Sequence, residues 1–447
     1  MSQAIPIFLV SAEDIRTHHT ESQQWLEMSG FKGQPGTFCM VPNQQNGIGK
    51  VLVGKPETLD TWTLGALAQT LPAQTYALAD TFSADVATHL CLGWQLGQYQ
   101  FARYKHTSPE AVAELQLPEN VDKDYVSAAT AAIFLVRDLI NTPVNDMGPA
   151  QLKDCAQTLA ETYGAKLAVI AGQDLLEHNY PLIHAVGRAS AQPPLLIELR
   201  WGEVDAPKVT LVGKGVCFDT GGLNIKPGAS MKMMKKDMGG AAEIFGLARM
   251  IMQLQLPVQL RVLVPAVENS ISDNAMRPLD VIASRKGITV EVGNTDAEGR
   301  LILADALWEA CSESPDLLID CATLTGAARV ALGTELPACF CNRPDLAATL
   351  LKIGQQIDDP LWPLPLHSPY RALLESKVAD ISNISSGSYG GAITAALFLQ
   401  EFVTPETPWI HVDLMAWNLR SLPGRPEGGE AMGMRSLFEL IRQQVAS

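Results

Sequence analysis

From about residue 150 onward the chain alternates short apolar runs of β character with longer helical stretches, and this constrains the fold more than any other feature. Lys166 to Ala171, Leu195 to Arg200, Val209 to Gly213, Gln259 to Val264, Leu317 to Asp320 and Trp409 to Leu414 read as strands. Gln151 to Tyr163, Ala241 to Leu254, Leu301 to Ala310 and Ala392 to Phe402 read as the helices between them. Strand runs that are apolar throughout, separated by helices, call for an α/β fold with a mostly parallel central sheet flanked by helices. In open sheets of this kind ligands sit beyond the carboxyl ends of the strands, so chemistry is expected just after those runs.

Residues 1–122 read as a smaller α/β N-terminal domain, with strand-like Ile7 to Val10 and Lys50 to Val53, a helical Leu64 to Leu71 and no catalytic motif. A connecting helix is expected over 123–140, apolar at Ala128, Ala132, Leu135, Val136 and Leu139, and broken by Asn141-Thr142-Pro143. Residues 141–447 are then expected to form the larger domain, where any catalytic residues should lie. Lysine and arginine number 33 against 48 acidic residues, a net charge of −15 that repels phosphate backbones and disfavours nucleic acid as a partner. Only 18% of residues are charged, which suggests surface hidden in subunit interfaces. No apolar run approaches the length of a membrane span, and the start of the chain lacks a basic leader, so a cytoplasmic protein without a membrane partner is expected. The eight scattered cysteines read as free thiols.

The segment after Val209 to Val212 is Gly213-Lys214-Gly215-Val216-Cys217-Phe218-Asp219-Thr220-Gly221-Gly222-Leu223-Asn224-Ile225-Lys226-Pro227. It fails as a phosphate loop, since Lys208 and Gly215 stand where that motif needs Gly and Ser or Thr. Met233-Met234-Lys235-Lys236-Asp237-Met238-Gly239-Gly240 puts an aspartate at the mouth of a helix. A third segment, Asn294-Thr295-Asp296-Ala297-Glu298-Gly299-Arg300-Leu301, precedes another apolar helix. Read as extended, it projects Asp296, Glu298 and Arg300 from one face. Four acidic groups, Asp219, Asp237, Asp296 and Glu298, with hardly a histidine near them, suit hard or borderline divalent ions, and crowded carboxylates are relieved by two ions bridged between them.

In these three blocks, and in Asn141-Thr142-Pro143, the Ala-Thr-Leu-Thr-Gly run at 322–326 and Gly391 to Leu399, the sequence resembles the leucine aminopeptidase (cytosol aminopeptidase) family of two-metal exopeptidases. The resemblance runs from about residue 137 to the C-terminus and does not reach the N-terminal part. It implies that Lys214, Asp219, Asp237, Asp296 and Glu298 hold two divalent ions per subunit, Mn2+ or Zn2+, with Mg2+ or Co2+ also compatible. It further implies hydrolysis of the N-terminal peptide bond by a metal-activated water, Lys226 stabilising the oxyanion and Arg300 holding a bicarbonate ion as general base. Peptides with a free N-terminus are the implied substrates, and a homohexamer the implied assembly. The family's substrate pocket maps onto Met234, Thr323, Leu324, Gly326, Met415 and Asn418. Where the family commonly has Ile-Ala-Gly, this chain has Leu414-Met415-Ala416, which should reshape that pocket. His411 and Asp413 are expected to be structural.

Two other readings compete with this one. A two-metal phosphoester hydrolase would keep the carboxylate cluster but lacks a basic cluster for phosphate beyond Arg300. A hexameric scaffold or DNA-binding regulator is disfavoured by the negative charge.

Overall fold

The computed structural model describes residues 4–45, 47–106 and 111–445, and the chain divides into two compact units. The first comprises Met1–Phe134 with Arg420–Glu427, the second Leu135–Leu419 with Gly428–Ser447. The helix Lys123–Asn141 runs across the sequence position at which they divide. Among the described residues no helix is long and apolar enough to cross a membrane.

The first unit is built on a five-stranded sheet of β1 (Ile5–Val10), β2 (Phe38–Pro42), β3 (Ile48–Gly54), β4 (Thr75–Leu78) and β5 (Glu114–Gln116), in the order β2-β3-β1-β4-β5. Only β2 runs antiparallel to its neighbour. The helix expected over Leu64 to Leu71 shrinks to Leu67–Thr70. Turn chemistry wins over the Ala/Leu content, because Asp60 Oδ1 accepts from the Trp62 N–H at 3.1 Å and from Thr63 Oγ1 at 2.8 Å.

The second unit carries a nine-stranded sheet. Its strands are β6 (Lys166–Ala171), β7 (Leu195–Gly202), β8 (Lys208–Gly213), β9 (Gly215–Asp219), β10 (Gln259–Asn269), β13 (Leu317–Ala322), β14 (Ala338–Cys341), β15 (Trp362–Pro363) and β17 (Trp409–Asp413), while β11 (Val281–Ala283), β12 (Thr289–Glu291) and β16 (Ile381–Ser382) form a separate small sheet. The order is β15-β14-β17-β13-β8-β10-β7-β6, with β9 continuing beside β10. The centre, β17-β13-β8-β10, is parallel; β7 against β10, β6 against β7 and β14 against β17 are antiparallel. Helices Gly239–Gln253 and Gly299–Cys311 are buried along nearly their whole length, as their low polarity demands. The first lies so close on the sheet that a Cβ on Gly240 would sit 2.1 Å from the Cys321 carbonyl oxygen.

His411 and Asp320 face each other across β17 and β13, with His411 Nδ1 2.7 Å from Asp320 Oδ1, while Trp409 Nε1 donates to Asp320 Oδ2 at 2.7 Å. Asp413 Oδ1 accepts from the Leu324 and Thr325 N–H groups at 3.0 and 3.1 Å, and Oδ2 accepts from Thr325 Oγ1 at 2.5 Å. All eight cysteines are free.

Candidate metal centre

Each charged side chain of interest leaves the carboxyl end of a parallel strand or the mouth of a helix. Lys214 follows β8, Asp219 ends β9, Asp237 closes a short helical turn before Gly239–Gln253, and Glu298 caps Gly299–Cys311. The backbone of Lys214 is held on both sides: its N–H donates to the Cys321 carbonyl at 3.0 Å, and its carbonyl accepts from the Ala241 N–H at 2.9 Å.

The segment from Asn294 to Glu298 is a turn, which corrects the extended reading. Asn294 Oδ1 accepts from the Asp296 N–H at 2.8 Å and its carbonyl accepts from the Ala297 N–H at 3.2 Å, so the helix starts directly at Gly299. Asp296 and Glu298 converge through this turn instead of through strand alternation. Asp219, Asp296 and Glu298 each offer a carboxylate oxygen within 4.8 Å of the others. Asp237 lies outside that trio but joins it through Lys214, whose Nζ is 2.8 Å from Asp237 Oδ2, 3.0 Å from Glu298 Oε1 and 3.1 Å from the Thr323 carbonyl oxygen to which it donates. Lys226 makes a matching bridge, 2.8 Å from Asp219 Oδ2 and 2.5 Å from Asp296 Oδ1.

Four carboxylates therefore face two lysines in a nearly dry space, and their proton affinities record the imbalance. Burial first, and then the Asp219 charge, pushes Glu298 up to about 8. Burial and Asp237 push Asp219 up to about 6. Asp237 goes the other way, because Lys214 and Lys236 outweigh its burial. Burial would lower Lys214 and Lys226, but the carboxylates beside each overcome it and raise both. Glu298 Oε2 is buried and has no hydrogen-bond partner. Such an oxygen is costly to desolvate unless a cation meets it, so the donor set, carboxylates with one amine, fits a divalent ion.

The other oxygens are fixed from behind. Asp219 Oδ1 accepts from the Gly221 N–H and from Asn269 Nδ2, each at 2.8 Å, which leaves Oδ2 for the site. Thr295 Oγ1 donates to the Gly221 carbonyl at 2.6 Å and stitches the two acidic segments together. Gly299 lies so close to Lys214 that a Cβ there would meet Cε at 2.3 Å.

Arg300 is buried and makes no ion pair with Glu298 or any other described carboxylate. Its Nη1 donates to the Asn383 carbonyl at 2.7 Å and its guanidinium lies 5.9 Å above the Phe398 ring. Sequence reasoning missed Asn383, a lone amide with no motif around it. Fully buried, it accepts from the Gly293 and Asn294 N–H groups at 2.8 and 3.2 Å and donates to the Asn294 and Ala297 carbonyls at 2.8 and 3.2 Å. It thus holds both the acidic turn and Arg300. Asn383→Ala should lower kcat/KM about ten- to a hundredfold, the range for losing a side chain that orients a metal ligand. Steady-state kinetics with metal titration checks this, and wild-type constants would show that the turn holds its own shape.

Of the pocket positions, Thr323 Oγ1 donates to Asp237 Oδ1 at 2.8 Å, Gly326 is exposed at the start of a short helix, and Leu324 hangs from Asp413. Met234 opens the turn that carries Asp237. Met415 is buried, and Asn418 Nδ2 donates to Glu430 Oε2 at 2.8 Å. Ala416, between them, has φ +55°, where a Cβ is strained, and a Cβ on Gly239 would lie 2.3 Å from the Ala416 Cβ. Ala416→Gly should raise stability by about 1 kcal/mol, as relief of left-handed strain exceeds the extra unfolded-state freedom of glycine. A lower urea midpoint would mean that the methyl group packs better than it strains.

Residues 102–438 match the family model described as the cytosol aminopeptidase family, catalytic domain, and residues 5–118 match the M17 aminopeptidase N-terminal domain. The second match covers the region in which no motif is legible. The crystal structure of the cytosol aminopeptidase from Coxiella burnetii superposes with a TM-score of 0.96 at 49% identity, covering 100% of this chain and 98% of that one. The bottromycin maturation enzyme BotP in complex with Mn gives a TM-score of 0.90 at 34% identity, with 100% of each chain covered. A probable cytosol aminopeptidase of Syntrophotalea carbinolica is 46% identical over 316 residues, which are 70% of this chain and 63% of that protein's length. With both of its domain models matched and the whole chain superposing on a cytosol aminopeptidase, the chain belongs to the cytosol aminopeptidase family.

Proposed function

We propose that the protein is a metal-dependent aminopeptidase that removes the N-terminal residue from peptides, using two divalent ions held by Lys214, Asp219, Asp237, Asp296 and Glu298. The observation that carries this reading is the buried Glu298 Oε2, without a hydrogen-bond partner, beside the converging oxygens of Asp219 and Asp296. When bound, such ions supply a nucleophile at neutral pH and polarise the scissile carbonyl. BotP is a relative solved with Mn, which supports manganese as the first ion to try.

The chain's own residues supply the rest. Lys226 keeps its proton through the paired carboxylates and brings a positive charge to the oxygen that gains negative charge in the tetrahedral intermediate. Arg300, tied at one corner to Asn383, keeps N–H donors and a charge that burial lowers only to about 10. A bicarbonate ion held there would accept the proton of the attacking water. The exposed apolar side chains Ile225, Leu279 and Val330, together with a charged fraction of 18%, support a homohexamer of the family type, and the family name supports the cytoplasm.

Purified protein loaded with manganese should hydrolyse aminoacyl p-nitroanilides, lose that activity to a chelator and regain it with metal. Hydrolysis of p-nitrophenyl phosphate alone would favour the phosphoesterase reading instead.

A further inference from the structure

Lys226 is carried by a loop that the subunit core does little to hold. The loop leaves β9 after Asp219 and closes on itself where the Lys226 N–H donates to the Thr220 carbonyl at 2.9 Å. Gly221 and Gly222 turn it with φ of +87° and +64°, a region that L side chains rarely adopt. A Cβ on Gly221 would also stand 2.5 Å from the Asn224 carbonyl oxygen and 2.9 Å from Asp296 Oδ1. The large apolar side chains of the loop, Leu223 and Ile225, are 42% and 60% exposed, so neither anchors it in the core of its own subunit. Two glycines in sequence widen the range of backbone shapes, and with it the range of positions open to Lys226 Nζ.

Fixation comes from a reciprocal contact with the acidic turn. The Asn224 N–H donates to Thr295 Oγ1 at 2.8 Å, and Asn224 Oδ1 accepts from the Thr295 N–H at 2.9 Å. The Thr295 hydroxyl in turn donates to the Gly221 carbonyl at 2.6 Å. Thr295 is fully buried, directly precedes Asp296, and its carbonyl accepts from Asn269 Nδ2 at 3.1 Å. That same Nδ2 holds Asp219 Oδ1 at 2.8 Å. The contact therefore clasps the Lys226 loop to a buried frame that fixes both carboxylates Lys226 reaches, Asp219 Oδ2 at 2.8 Å and Asp296 Oδ1 at 2.5 Å. Asn224 itself is exposed and its Nδ2 donates to no described residue, so the side chain acts through Oδ1.

We infer that Asn224 is a positioning residue for Lys226: its Oδ1 locks the loop onto the acidic turn, so that Nζ is already in place when negative charge develops on the substrate oxygen. This rests on the aminopeptidase reading, in which Lys226 stabilises the oxyanion. A donor lowers a barrier to the extent that it needs no rearrangement at the moment of reaction, and a misplacement of about 1 Å can cost about a hundredfold in rate. An exposed, uncharged amide thereby controls a charged group it does not touch.

The test compares Asn224→Ala, which removes the acceptor, with Asn224→Asp, which keeps one at the same place, in the manganese-loaded full chain acting on leucine p-nitroanilide. Asn224→Ala should lower kcat about ten- to a hundredfold with KM nearly unchanged, and Asn224→Asp should recover most of that loss. On a Lys226→Ala background the same Asn224→Ala change should cost less than about a further twofold, because nothing is left to position. Two measurements on the metal-free protein complete the test. Manganese affinity by titration calorimetry should be kept in Asn224→Ala, and amide hydrogen exchange over residues 221–226 should be faster in Asn224→Ala than in the wild type or Asn224→Asp. Wild-type kcat in Asn224→Ala, a loss that Asn224→Asp does not recover, or one that adds fully to that of Lys226→Ala overturns the inference and leaves the aminopeptidase standing. So does a fall in manganese affinity that matches the fall in rate. A wild-type protein that cleaves no aminoacyl anilide overturns the aminopeptidase reading and this inference with it.

Discussion

Asp296→Asn is expected to fold as the parent does, hold less metal and turn over at least about a thousandfold more slowly. The carboxylate is there for charge. Its side chain is 30% exposed, its ion-pair partner is Lys226 at 2.5 Å, and its backbone is fixed independently through Asn294 Oδ1. Exchanging one oxygen for an amide nitrogen preserves size and removes the charge, so packing has no reason to change. Asn294, Thr295 and Asn383 keep the turn in place. The measurements are metal content of the dialysed protein, thermal unfolding and turnover on an aminoacyl anilide. Full turnover with normal metal content would remove Asp296 from the metal centre, and a collapsed melting temperature would make it a structural residue.

Lys226→Ala should lower kcat by about two to three powers of ten, the scale of losing one oxyanion donor, with a much smaller change in KM. Electrostatics separates this effect from metal loss. Lys226 sits on Asp219 and Asp296 at 2.8 and 2.5 Å, so removing it leaves those carboxylates more negative and should strengthen cation binding. A variant that is slow but fully loaded is the expected outcome. One that is slow because it is empty would assign Lys226 to organising the carboxylates. One that raises KM alone would assign it to ground-state binding.

The sequence made the centre of this fold legible because buried parallel strands and the helices that cover them both leave long apolar signatures, as at Val209 to Gly213 and Ala241 to Leu254. Direction leaves none. The antiparallel courses of β7 and β14 are set by which neighbour each strand meets, which an apolar run does not encode. The charged residues were legible as motifs, but their convergence was not. The Asn294 to Glu298 segment has the alternation of a strand, and its shape is decided by the Asn294 side chain capturing its own backbone. Asn383 was invisible because its importance lies in contacts to residues about 90 positions away, such as Gly293 and Asn294.

The order of the central sheet also sets when this chemistry can exist. β13 lies between β8 and β17, and β17 is not reached until Trp409. Lys214 donates to the carbonyl of Thr323, and Thr323 continues into a turn held by Asp413. A ribosome that has made every one of the carboxylates therefore still carries a chain whose metal centre has no fixed wall. Pairings of such long sequence separation form late. A centre assembled from segments so far apart in sequence gains its last fixed wall only when β17 and the residues after it are in place.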